Sequence, residues 1–308
     1  MRYIHMGRND WNAAVILFVI LCCGVFPSAD GAGAPTNPDA EKQIRLSRQH
    51  LQTGDYDAAA ECAETAVALA PGNSHYQMVL GDAYGMIVRD ASIFTKMSWA
   101  RKCLAAYQQA VKLDPANLDA RQRLMSYYLQ APGIAGGSED KAHAQAEEIR
   151  KRDPLAGHMA WGTIHRSRKD FTAAQLEYRQ ALDIQPDDKQ ANIMFGYVSL
   201  RLSQYAPAGE AFRKVRAIDA DDPNGLLFTG EIAGRTGQDL EDGRHCLARF
   251  LQLQVKARKT SLAEAYYWLG VILEKQGQRP AARTEYQAAL SLDSKNSDYK
   301  QAVKKLGR

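Results

Sequence analysis

His158 and His165 stand seven residues apart in "HMAWGTIH", two helical turns on one face, where two imidazoles could share a metal ion. No carboxylate lies between them, and His165 takes the place of an ordinary packing residue, so packing or surface exposure is expected instead. A second candidate is the Gly-rich stretch "YYLQAPGIAGGSEDKA" (127–142), whose backbone amides could cradle a phosphate. Glu139 and Asp140 would set two negative charges against a bound anion. The stretch is therefore expected to be a lengthened turn, with Pro132 and Gly133 stopping one helix and Ser138 capping the next. Asp114, Asp153, Asp183, Asp219 and Asp293 recur at regular places between helical runs, where a carboxylate is a structural feature. Cys62, Cys103 and Cys246 are odd in number and fit no zinc spacing; small buried thiols are expected, with a Cys62–Cys103 bridge as the alternative. There is no Walker loop, GxSxG, HExxH or CxxC, and "GAGAPT" (31–36) lacks a following strand and helix. The expectation is no enzyme, no metal and no cofactor.

Bulk properties agree with an ordinary folded chain. It has 308 residues, 45% apolar and 24% charged, and a net charge of +4 that is too small to imply nucleic acid. The N-terminus reads separately. Arg2 and Arg8 precede the uncharged run "AAVILFVILCCGVF" (13–26), and small residues follow, as in a secretory signal peptide. Residues 1–34 are expected to be such a processing region and the protein periplasmic or secreted. The alternative is an uncleaved segment that anchors the chain to a membrane, although the run is short for a span of ~20 residues.

The rest of the chain repeats. "RQHLQTGDYDAAAECAETAVALAP" (48–71), "WGTIHRSRKDFTAAQLEYRQALDIQP" (161–186), "FGYVSLRLSQYAPAGEAFRKVRAIDA" (195–220) and "WLGVILEKQGQRPAARTEYQAALSLD" (268–293) share one pattern. Each has a helix with a small residue, a polar turn, and a second helix with small and aromatic residues spaced four then three. The small residues are Gly81, Gly162, Gly196, Gly230 and Gly270 in first helices and Ala59, Ala174, Ala208 and Ala282 in second helices. The aromatics are Tyr107, Tyr178, Phe212 and Tyr286, expected to fill space beneath the next hairpin, while Pro71, Pro115, Pro154 and Pro186 close units.

These residues resemble the tetratricopeptide repeat, a 34-residue helix–turn–helix. The resemblance implies an all-α fold, a right-handed superhelix (α-solenoid) of about seven hairpins. The units are placed at about 40–73, 74–117, 118–154, 155–188, 189–222, 223–258 and 263–296, making an array over 35–296. Unit six departs most, since Gly243 replaces the usual Ala one residue late. Residues 297–308 form a capping helix, with Tyr299, Val303 and Leu306 inward and Lys300, Lys304 and Lys305 outward.

Function is then expected in surfaces. The resemblance implies a non-enzymatic scaffold or adaptor that binds a partner peptide or helix in a groove lined by first helices. Here that groove falls on Met159, Thr163, Ile193, Tyr197, Leu227, Glu231, Tyr267 and Val271, with Arg201 and Arg235 nearer its edge. The other reading packs some of these residues against neighbouring repeats. The partners expected are proteins of envelope assembly, secretion or export, and no nucleic acid. Units two and three are longer than the repeat, so Ile93, Phe94, Met97 and Ile134 are placed on a protruding edge. That edge is either a partner site, as in a ligand-binding or catalytic accessory subunit, or a place where the insertions cover each other. A second helix from Ser92 to Leu113 would be roughly 33 Å long.

Overall fold

The computed structural model describes residues 37–253 and 259–307, and among these there are fifteen α-helices and no strand. Residues 1–34, with the signal-like run, lie outside the described residues. No helix among those described is long and apolar enough to cross a membrane. The chain divides into two compact bodies, one ending at Arg152 and one beginning at Asp153. This is the boundary region of units three and four.

The N-terminal body holds α1 (Pro38–Thr53), α2 (Tyr56–Leu69), α3 (Ser74–Asp90), α4 (Ile93–Leu113), α5 (Leu118–Gln130) and α6 (Glu139–Arg150), with a single 3-10 turn at Gly133–Ala135. The C-terminal body holds α7 (Pro154–Ser167), α8 (Phe171–Ile184), α9 (Lys189–Arg201), α10 (Tyr205–Ile218), α11 (Pro223–Thr236) and α12 (Leu240–Gln252). It continues with α13 (Lys259–Lys275), α14 (Arg279–Leu292) and α15 (Ser297–Leu306). Consecutive helices pair as hairpins, seven in all among the described residues, and α15 closes the series against α14.

One contact organises most hairpins. A Cβ added at Gly81, Gly162, Gly196 or Gly270 would stand 2.4 to 2.8 Å from the ring of Tyr107, Tyr178, Phe212 or Tyr286, respectively. Each ring therefore rests on the glycine of its own hairpin, and Phe212 also reaches the next one, where it packs on Phe228 with centroids 4.9 Å apart. The reason is local. A ring on the second helix meets the facing helix where a side chain is missing, and the two axes close until the gap is filled. The alanines Ala59, Ala174, Ala208 and Ala282 are fully buried at the same seams. In unit six Leu247 replaces the ring over Gly230 at 2.2 Å, and Gly243 takes the small position, a Cβ there meeting Ala233 at 2.4 Å. The second helix of this divergent unit is intact.

Caps set the helix ends. Asn37, Asp55, Asn73, Asn117, Ser138, Asp153, Asp170, Asp188, Asp222 and Asn296 each accept a hydrogen bond from an amide in the first turn of the following helix. The recurring acids Asp114, Asp219 and Asp293 accept from the amides of Ala116, Asp221 and Lys295 in the turns between units. That accounts for their periodicity without chemistry.

The insertions in units two and three are solid structure. The extra residues of unit two lengthen the α3–α4 hairpin, and α4 begins at Ile93 with Ser92 at its cap position. Tyr84 packs on Trp99 at 5.5 Å between ring centroids, and the Lys102 ammonium lies 4.3 Å from the Trp99 ring. In unit three the Gly-rich stretch folds back on α4. Gly136 is left-handed (φ 91°), and a Cβ there would meet Leu104 at 2.6 Å. Gly137 has still less room, since a Cβ would stand 1.7 Å from the Ala131 carbonyl oxygen.

Candidate functional site: the first-helix groove and the insertion edge

The residues expected to line a groove lie in the C-terminal body, on α7, α9, α11 and α13. Met159 and Thr163 are half-buried on α7, and the Thr163 hydroxyl donates back to the Met159 carbonyl at 2.9 Å. Ile193 and Leu227 are only 4% and 7% exposed. Both are buried in the packing between helices, the other reading of these positions; Leu227 is part of the core that joins α11, α12 and α13. Tyr197, Glu231, Tyr267 and Val271 remain partly open.

Side chains outside the sequence list complete the surface. The Tyr197 ring lies 6.1 Å from that of Phe228, and the Arg201 guanidinium sits 5.1 Å from the Tyr197 ring while donating to its hydroxyl at 3.2 Å. Glu231 binds Arg235 at 2.7 Å, one turn along α11, and Arg235 lies 4.8 Å from the Trp268 ring. Gly234 makes room for that indole, since a Cβ there would meet it at 2.8 Å. Tyr267 is surrounded by the rings of Trp268, Tyr286 and Tyr299 at 5.1, 5.7 and 5.1 Å. Glu264, one turn before Tyr267 and Trp268, is exposed on the same helix. Aromatic faces thus alternate with charges from α9 to α13.

The electrostatics are uneven. Burial pushes the Glu264 carboxyl up, Glu231 adds to the shift, and Arg201 opposes it. Glu264 is open to solvent at its surface yet flanked by enough protein to disfavour its charge. Burial disfavours the Arg201 cation, but Tyr197, Glu231 and Glu264 outweigh that and hold its affinity for the proton above the ordinary value. The residues named from the sequence carry the repeat period: Arg201 and Arg235 are 34 positions apart, as are Tyr197 and Glu231. The missed neighbours Phe228 and Trp268 carried no such mark; their partial exposure follows from contacts with Tyr197, Tyr267 and Arg235.

On the N-terminal body, Phe94 is 92% and Ile134 78% exposed, while Met97 is half-buried. The side chain of Ile93 lies outside what is described. The amides of the Gly-rich turn are engaged internally: Ala135 and Gly137 donate to the Pro132 carbonyl, Gly136 to Gly133, and Ser138 to Tyr128. The Tyr127 hydroxyl shares its hydrogen between the carbonyls of Ala135 (2.7 Å) and Ala100 (2.9 Å). An anion cradle would need those amides free.

The two histidines have other neighbours. His158 Nδ1 is 2.8 Å from Glu177, and His165 lies against Trp161 with centroids 6.0 Å apart. Cys62, Cys103 and Cys246 are all free thiols, Cys62 only half-buried; the Cys103 thiol donates to the Gly81 carbonyl at 3.3 Å.

Comparison with known proteins extends this picture. The tetratricopeptide repeat family profiles match residues 44–84, 159–223 and 263–296. A crystal structure of a tetratricopeptide repeat protein from Parabacteroides merdae superposes with a TM-score of 0.50 at 15% identity, covering 88% of this chain and 100% of that one. A structure of pilF from Pseudomonas aeruginosa does so with a TM-score of 0.52 at 14% identity, covering 85% and 96%. Superkiller protein 3 of Schizosaccharomyces pombe is 24% identical over 184 residues, 58% of this chain but only 13% of that relative's length. Profiles on hairpins of both bodies, and the shared fold, lead to one assignment: the chain is built of tetratricopeptide repeats and folds as they do.

Proposed function

We propose that the chain is a non-catalytic adaptor that holds a peptide or helix of a partner protein along α9, α11 and α13, in envelope assembly, secretion or export. The observation that carries the groove reading is the row of partly open aromatic side chains, Tyr197, Phe228, Tyr267 and Trp268, interleaved with charges. Such a surface suits an amphipathic helix or hydrophobic peptide, whose apolar side chains rest on the rings. Pull-down with the tagged protein tests it. Tyr197→Ala with Val271→Asp should lose the partner recovered by the wild type while the melting temperature changes little; recovery unchanged by the pair overturns the groove.

The envelope setting rests on the N-terminal run 13–26 with its basic flank, and the protein is accordingly proposed to be periplasmic or secreted. Cell fractionation with N-terminal sequencing tests it. A mature chain starting near Pro35 in the exported fraction supports export. A full-length chain in the membrane fraction supports the anchored alternative, and a full-length cytosolic chain overturns both. A second reading, a ligand-binding or catalytic accessory subunit acting through the insertion edge, is favoured by the exposure of Phe94 and Ile134 at the outer ends of two packed insertions.

A further inference from the structure

We infer that the occupant of the groove presents a lysine or arginine side chain to Glu264, with an apolar side chain beside it on Tyr267 and Trp268. This rests on the groove reading above and names the chemistry of its partner. Nearly every other groove charge already has an opposite or polar partner within the chain. Glu231 is held by Arg235, Glu274 by Lys305 of α15 and the Tyr286 hydroxyl, and Arg201 by the Tyr197 hydroxyl. Glu264 alone among these, in the described residues, forms no hydrogen bond or ion pair, and its side chain is exposed one turn before Tyr267 and Trp268 on α13.

The groups that face Glu264 make its surroundings receptive to a cation. From α11 the Glu231 carboxylate adds negative charge, and Glu264 itself acts on the buried Tyr299 of α15. Among the described residues the one opposing cation is Arg201 of α9, which is engaged with Tyr197 and makes no ion pair with Glu264. The faces of Tyr267 and Trp268 follow within one helical turn, and ring faces attract cations through their quadrupoles. A partner cation would give an unpaired, partly desolvated carboxylate the counter-charge it lacks, whereas a partner carboxylate would meet two like charges. Such complementarity selects partners more than it adds affinity.

An array of synthetic 12-residue amphipathic peptides, identical except for Lys, Arg, Gln or Glu at one guest position, tests this with the full-length protein. The expected result is that Lys and Arg guests bind about fivefold or more tighter than Glu, as partly exposed ion pairs allow. That preference should vanish in Glu264→Gln while binding of the Gln guest persists. Guest-independent binding, or a preference unchanged in Glu264→Gln, overturns the inference and leaves the groove intact. A preference for the Glu guest overturns it too and assigns selectivity to Arg201 and Arg235. If no peptide of the array binds, and Trp268→Phe changes nothing in partner recovery, the groove reading itself fails. Circular dichroism of Glu264→Gln against wild type keeps a folding defect distinct from these outcomes.

Discussion

The ring of Tyr286 occupies the space where a side chain on Gly270 would be: an added Cβ would lie 2.6 Å from its Cδ1 and 3.2 Å from the Ala282 carbonyl oxygen. Both neighbours are buried and the second is backbone, so the conflict cannot be relieved by a rotamer change. Gly270→Leu should destabilise by ~1–3 kcal/mol or more. Gly209, also helical, has nothing within 4 Å of an added Cβ. Gly209→Ala should therefore stabilise by up to ~1 kcal/mol. Thermal melts of the two variants check the contrast; equal effects would sink the contact assignment.

Turns within hairpins use a left-handed residue at one recurring place. It is glycine at Gly54, Gly237 and Gly277, but Lys169 (φ 62°) and Ser203 (φ 59°) stand there in units four and five. A side chain in that conformation costs ~1 kcal/mol relative to glycine. Ser203→Gly should raise the melting temperature, and an unchanged or lower value in urea or thermal unfolding would show that the serine has compensating contacts.

Gly137→Ala is predicted to be the most damaging small substitution in the Gly-rich turn, because its Cβ would stand 1.7 Å from the Ala131 oxygen. Gly133→Ala meets nothing within 4 Å and should be nearly neutral. Limited proteolysis between residues 131 and 138 reads the difference: faster cleavage for the first variant, wild-type rate for the second.

The insertion edge has its own test. Phe94→Asp with Met97→Ser should leave the melting temperature nearly unchanged and abolish partner recovery if the edge is a binding site. A drop of several degrees, or unaffected recovery, assigns the insertions a structural role.

Glu264 supplies a pH prediction. Its carboxyl is raised in the folded protein by burial and by Glu231, so the ionised form opposes folding above the folded-state value and that opposition disappears below the ordinary value of 4.5. Glu264→Gln should melt higher than wild type at pH 7 to 8, with the gap closing as pH falls toward 4.5. A gap that widens on acidification would mean that Arg201 stabilises the carboxylate more than burial opposes it.

Local spacing alone determined the helix hairpins, because small and aromatic residues spaced four then three share one helical face, and the recurring polar turn sets that helix back against the one before it. The separation of the closing prolines Pro71 and Pro115 located the longer second unit, and amphipathic spacing located the cap helix with its inward Tyr299. The groove was legible only as a register. Met159, Ile193, Leu227 and Tyr267 hold equivalent places, yet Ile193 and Leu227 are buried and Met159 and Tyr267 are partly open. Helical period says which way a side chain leaves its own helix, but not how closely the neighbouring helix covers it. That coverage depends on how adjacent hairpins pack, as where Gly234 admits Trp268 and brings α11 against α13. Which carboxylate is left without a partner, and which apolar residues of the insertions reach solvent, were decided by packing between helices, since burial and charge pairing are properties of neighbours in space.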